Sequence, residues 1–166
     1  MNDNQTDRIR LLIVDDETEF LEALGERLEM REFEVFPVTS GQAALDLCQR
    51  EKFDLALVDL KMPGMDGKEL LTRLKEGHRY LEVIILTGHG SLGSAVECAK
   101  LGAFSYLPKP YNIDELLRVL AEAYSERMRK KFEADEARTQ KLLQVALGQS
   151  PLAILRLMRE MDDENK

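Results

Sequence analysis

The sequence predicts a parallel sheet of five strands, wound on both faces by helices. Three observations carry this. Five short apolar runs recur along residues 9–108, as buried parallel strands do. Stretches with apolar residues at helical spacing follow each run. The links between them are short, which suits right-handed strand–helix–strand crossovers. The first strand covers 9–14 and ends in Leu11-Leu12-Ile13-Val14. A helix near 17–32 aligns Phe20, Leu21, Leu24 and Leu28. A short second strand spans 34–38, after which Ser40 caps a helix carrying Ala43, Ala44, Leu47 and Cys48. The third strand, 55–60, runs into Met62-Pro63-Gly64-Met65-Asp66-Gly67, a loop by its Pro and Gly content. A helix over 68–76 carries Leu70, Leu71 and Leu74. The fourth strand is 82–86, and the helix near 91–101 carries Ala95, Val96 and Ala99. The fifth strand is 105–108. Pro108 suits an edge position, where a missing N–H is tolerated. The fifth helix begins near Asn112, with Ile113, Leu116, Leu117, Leu120 and Tyr124 on one stripe. This doubly wound α/β pattern suits the strand order 2-1-3-4-5.

Beyond residue 124 the helical pattern continues without a breaker to about 147. Its apolar stripe thins between Arg129 and Lys141 and returns at Leu142, Leu143, Val145, Ala146 and Leu147. Gly148-Gln149-Ser150-Pro151 reads as a stop and restart, a turn over 148–151. A short helix over 152–161 then carries Leu152, Leu155, Met158 and Met161. The expected organisation is a disordered lead over 1–7, a domain over 8–126 and a helical extension over 127–166. Residues 1–124 hold 14 Lys and Arg against 23 Asp and Glu, whereas 125–166 hold 9 against 8. The net charge of −8 and pI near 4.9 argue against a nucleic-acid surface. Cys48 and Cys98 sit among apolar residues in helical patterns and read as core thiols. The polar start lacks the apolar stretch of a signal peptide, and no run is long enough to span a bilayer. A cytoplasmic protein is the expectation.

Polar residues stand where the apolar runs end. Asp15 and Asp16 follow Val14, Asp59 follows Val58, Thr87 follows Leu86, and Lys109 follows Pro108. In open α/β sheets, sites form beyond the carboxyl ends of the strands, so these residues should converge. Two carboxylates about 4 Å apart repel by roughly 4 kcal/mol at an effective dielectric near 20. A divalent cation relieves this, and oxygen ligands suit Mg²⁺. The remaining carboxylate is then available to attack phosphorus as an acyl-phosphate-forming nucleophile. The lysine would neutralise charge on the transferring group and the threonine hydroxyl would bind one of its oxygens.

Val14-Asp15-Asp16, the run from Val58 through Asp59 to Gly67, Leu86-Thr87-Gly88 and Leu107-Pro108-Lys109-Pro110 occur in order on these elements. Together they resemble the receiver domain of two-component response regulators, a flavodoxin-like fold. The resemblance covers about residues 8–126. It implies that Asp59 accepts a phosphoryl group from a histidine kinase or phosphotransfer protein. It implies that Asp15 and Asp16 hold Mg²⁺ with Asp59 and the main-chain carbonyl of Lys61. Lys109 would pair with Asp59 or its phosphate, Thr87 would be the switch hydroxyl and Tyr106 the switch aromatic. The Lys109–Pro110 bond would be cis. His89, two residues past Thr87, would lie near the phosphate, and a part in dephosphorylation is open; His78 reads as an inert loop residue. Gly88-His89-Gly90-Ser91 and Gly102-Ala103-Phe104 are similar to receivers joined to AAA+ transcriptional activators. The chain has no GxxxxGK[ST] loop and about forty residues behind the receiver pattern, so the expectation is a stand-alone receiver without ATPase or DNA-binding output. It would be no enzyme beyond self-catalysed phosphoryl transfer and autodephosphorylation. The alternatives are a phosphorelay intermediate and an interaction scaffold that is not phosphorylated. The extension either folds back on its own domain or pairs with a second copy. Homodimerisation is the expectation, through the fourth helix, fifth strand and fifth helix, through the extension, or through both.

Overall fold

The structure, a computed structural model, describes residues 8–148 and 151–163. The predicted lead over 1–7 lies outside the described residues, as do Gln149 and Ser150 of the predicted turn. The chain forms β1 (Ile9–Val14), α1 (Thr18–Glu29), β2 (Phe33–Val38), α2 (Gly41–Arg50), β3 (Leu55–Val58), α3 (Gly67–Gly77), β4 (Glu82–Thr87), α4 (Leu92–Lys100), β5 (Ser105–Pro108), α5 (Ile113–Gly148) and α6 (Pro151–Asp163). All strand pairs are parallel and the order is β2-β1-β3-β4-β5. The expected fold class and strand order are both present.

Alternation along the strands sorts the core into two layers. Leu11, Ile13, Leu55, Leu57, Ile84 and Leu86 face α1 and α5, where Leu24, Leu28, Leu116 and Leu120 cover them. Leu12, Val14, Ala56, Val58, Val83 and Ile85 face the other way, onto Ala44, Leu70, Leu71, Leu74 and Cys98. Because β1, β3 and β4 carry apolar residues on both faces, they lie in the sheet's middle and are buried from end to end or nearly so. Cys48 and Cys98 are buried in the second layer, and burial pushes the Cys48 thiol up to about 11. Both are core thiols, as their sequence context suggested.

Element ends differ from the sequence pattern for local reasons. β3 stops at Val58, because Leu60 turns its carbonyl to the N–H of Gly67 at 2.8 Å instead of continuing the ladder. α3 begins at Gly67, ahead of its apolar stripe, because Asp66 caps it: its Oδ1 accepts from Glu69 N at 2.9 Å. α1 ends at Glu29, since residues 30–32 turn the chain into β2 and the Glu32 carbonyl accepts from Ile9 N.

The amino edge of the sheet is tied by Asp54. Its Oδ2 accepts from Arg10 N at 2.9 Å, and its Oδ1 accepts from Arg127 Nε at 2.9 Å. Arg127 also donates to the Tyr80 carbonyl at 2.6 Å, so one guanidinium on α5 ties down the starts of β3 and β4. The Arg10 guanidinium lies over the rings of Phe36 and Phe53, 4.6 and 5.3 Å from their centroids. The chain divides into two compact units, Met1–Arg127 and Met128–Lys166. In the second, Phe132, Leu143, Leu152, Leu155 and Met158 are exposed. No helix among the described residues is long and apolar enough to cross a membrane.

Asp54→Ala removes both carboxylate acceptors and leaves the Arg127 guanidinium, whose side chain is 13% exposed, without its counter-ion. We expect a loss of about 2 kcal/mol in urea unfolding of the full chain, because an unpartnered charge costs more than a paired one gains. Unchanged stability would show that water replaces the carboxylate without loss.

Candidate functional site

Asp15, Asp59 and Lys109 stand one step past the ends of β1, β3 and β5, Thr87 is the last residue of β4, and the backbone ladder carries the first three into place. Asp15 N donates to the Val38 carbonyl at 3.2 Å, Asp59 N to Val14 at 3.0 Å, and Lys109 N to Thr87 at 2.8 Å. Each site residue is thus fixed by a neighbouring strand rather than by its own loop. Carboxylate oxygens of Asp15, Asp16 and Asp59 all lie within 4.8 Å of one another. Asp15 and Asp59 are buried and Asp16 is exposed. The cluster therefore has one open side.

The two buried acids differ in what satisfies them. Asp15 is fully engaged: Oδ1 accepts from Glu17 N at 2.9 Å and Oδ2 from Lys109 Nζ at 2.5 Å. Asp59 Oδ1 is buried and accepts no hydrogen bond. Such an atom costs free energy unless something absent from the protein's own donors meets it. Lys109, expected to pair with Asp59 or its phosphate, is on Asp15 here. Its ammonium also sits 3.8 Å from the centroid of the Phe20 ring. The Lys109–Pro110 bond is cis.

Thr87 is buried at the end of β4, and its Oγ1 accepts from His89 N at 3.1 Å. The His89 side chain is exposed. Lys61 is exposed in the loop two residues past Asp59. Tyr106 is apart from the acids. Its half-buried ring packs in the second core layer, and its hydroxyl lies 2.9 Å from Ser94 Oγ on α4. That position exists because residue 90 is glycine: a Cβ there would stand 2.0 Å from the tyrosine hydroxyl. His78 ends α3, and burial holds its imidazole below the usual histidine range.

Sequence reasoning missed Phe20 and Ser94. Phe20 fell on the apolar stripe of its helix and read only as core. Ser94 carried a signal, since Ser91 and Ser94 form a reciprocal capping box at the start of α4. The pattern explains the cap but not the tyrosine that shares it.

All the cluster's ligands are oxygens, one carboxylate oxygen is buried without a donor, and one side is open. This donor set fits a hard divalent cation such as Mg²⁺, which takes carboxylates and keeps waters.

A family model describing the response regulator receiver domain matches residues 11–121. Sporulation initiation phosphotransferase F of Bacillus subtilis is 39% identical over 107 residues, which are 64% of this chain and 86% of that protein. Transcriptional regulatory protein GlrR of Escherichia coli is 40% identical over 113 residues, 68% of this chain but only 26% of that protein. Among solved structures, a CheY-like response regulator receiver domain protein of Methanospirillum hungatei superposes with a TM-score of 0.71 at 34% identity, covering 74% of this chain and 98% of that one.

Gly67 holds the loop behind Asp59 in place. A Cβ at this position would stand 2.2 Å from the Asp59 carbonyl oxygen and 2.7 Å from Leu60 Cα, both backbone atoms that cannot step aside alone. Gly67→Ala should lower unfolding stability by about 1–3 kcal/mol, read by urea denaturation; a wild-type midpoint would refute this account of the loop.

Proposed function

The chain belongs to the response regulator receiver domain family, and from that membership and the site's chemistry we propose that Asp59 accepts a phosphoryl group from a histidine kinase or phosphotransfer protein. The observation that carries this is the buried, donorless Oδ1 of Asp59 inside the acid cluster. An Asp59 carboxylate oxygen forms the new bond to phosphorus as the bond to the donor, histidine nitrogen or acyl oxygen, breaks and its electrons leave with the donor. A bound Mg²⁺ supplies charge neutralisation for the cluster and for the phosphoryl oxygens. Asp15 and Asp16 would hold it, with Asp59 and the Lys61 main-chain carbonyl. Lys109 offers an ammonium to the transferred group, and its short reach to Asp15 keeps it in the site until then. Thr87 offers its hydroxyl proton to a phosphoryl oxygen, a donor that its acceptance of the His89 N–H leaves available. Tyr106 then follows, which changes the face made by α4, β5 and α5.

That changed face, the extension, or both would pair two copies of the chain. What supports this is exposed apolar surface: Leu92 and Val96 on α4, and Leu143, Leu152, Leu155 and Met158 in the second unit. Exposed large apolar side chains are the raw material of partner surfaces. A second reading, a relay intermediate that passes the phosphoryl group on to a histidine, is favoured by one comparison. The relative whose length this chain covers to 86% is by name a phosphotransferase, whereas the chain spans about a quarter of the transcriptional regulator.

Incubation with acetyl phosphate and Mg²⁺ should add one phosphoryl group by mass spectrometry. The adduct should vanish in Asp59→Asn and when EDTA is present. No adduct on the wild type sinks the reading. Adding a histidine phosphotransfer domain to the phosphorylated chain separates the relay reading, which requires the label to move. Truncation after Arg127 should give a monomer in sedimentation, where the full chain dimerises; a monomeric full chain in both phosphorylation states counts against pairing.

A further inference from the structure

Lys109 is held from two directions, and only one of them is a charge. Nζ donates to Asp15 Oδ2 at 2.5 Å and stands 3.8 Å from the Phe20 centroid. The ring is itself braced: Tyr111, two residues past Lys109, meets Phe20 edge to face, with centroids 6.1 Å apart and planes at 89°. Phe20 lies in the first turn of α1, and Lys109 directly follows β5. The lysine side chain is 15% exposed, so water screens the ring's attraction only in part. Meanwhile the other buried acid of the cluster has an oxygen with no donor. Charge alone would not choose Asp15 over Asp59, since both are buried carboxylates in one cluster. The ammonium lies over the Phe20 ring in the same position from which it donates to Asp15, and that second contact breaks the tie.

We propose that Phe20 is a positioning residue for Lys109, its ring keeping the ammonium on Asp15 and off Asp59, so that Lys109 and a divalent cation compete for Asp15. The inference rests on the receiver reading, in which Asp15 is a metal ligand. It gives the metal-free protein a defined resting arrangement. The lysine covers one acid, and the nucleophile's oxygen stays unpaired. Cation binding at Asp15 removes the ammonium's partner and frees it for the phosphoryl group on Asp59. Packing alone also accounts for a half-buried Phe at this place, because the ring joins the core layer under α1. The two accounts differ in whether the effect of Phe20 depends on Lys109.

A double-mutant cycle decides between them, with Mg²⁺ itself titrated calorimetrically into the full chain and no phosphodonor present. Lys109→Met should tighten Mg²⁺ binding by removing the competitor. Phe20→Leu should tighten it by about two- to tenfold, the range of one lost cation–π contact. In the Lys109→Met background, Phe20→Leu should have no effect. Phe20→Tyr, which keeps the ring, should bind as the wild type does. An equal effect of Phe20→Leu in both backgrounds, or none in either, overturns the proposal. A wild-type measurement covers the case in which Phe20→Leu fails to fold. In the metal-free chain the Lys109 Hε and Cε resonances should be shifted upfield by the ring and should return toward ordinary lysine values on adding Mg²⁺. Unshifted resonances overturn the proposal. If the wild type binds Mg²⁺ and is phosphorylated on Asp59 but the cycle shows no coupling, this inference alone fails. If no variant binds Mg²⁺, the receiver reading fails with it.

Discussion

Parallel strands deliver their carboxyl ends to one edge, and in this chain that edge carries like charges. Asp15 and Asp59 are fixed one residue beyond β1 and β3 by ladder bonds to the neighbouring strands. They cannot separate without breaking sheet pairing, so their mutual repulsion is built into the fold. Asp16 adds a third charge within 4.8 Å. The single ammonium of Lys109 leaves a negative excess, and it meets only one of the two buried acids. A cation or a phosphoryl-bound cation is what such an edge is short of, and the rest of the fold holds it in that condition.

The opposite edge is built on the reverse principle. There one carboxylate, Asp54, has a donor for each oxygen, and the starts of β1, β3, β4 and the body of α5 meet around it. A satisfied edge resists rearrangement, because every bond broken leaves a partner unmet. Each such loss amounts to roughly a tenth or more of a domain's stability. The unsatisfied edge has less to lose. Change on binding is therefore favoured at the carboxyl ends, while the amino ends and α5 up to Arg127 remain a fixed frame.

The sheet was legible in the sequence because its central strands are apolar on both faces, a pattern that half-exposed strands lack. The convergence of Asp15, Asp16, Asp59, Thr87 and Lys109 was legible for a related reason: each terminates such a run. What escaped were decisions made between near-equal partners. Nothing in the order of residues says whether Lys109 turns to Asp15 or Asp59, because both belong to one cluster. The choice depends on the ring of Phe20, which helical spacing marks only as one more apolar residue. The end of β3 escaped similarly. Leu60 resumes its apolar run past Asp59, but Gly67 claims the Leu60 carbonyl from further along the chain.

The tyrosine on β5 sets how small a bias the proposed switch needs. In this structure its hydroxyl meets Ser94 on α4, and space beside Gly90 admits it. A neutral hydroxyl–hydroxyl bond contributes on the order of 1 kcal/mol net, about a fivefold preference between two positions of the ring. A phosphoryl group that draws Thr87 by a charge-assisted bond supplies roughly twice as much. The resting position is then favoured strongly enough to be populated without phosphate and weakly enough to be reversed by one added group. An apolar side chain at 94 would remove the preference, and a larger one at 90 would remove the position itself. The two residues therefore set different things: Ser94 the balance of the equilibrium, and Gly90 whether there is an equilibrium to balance.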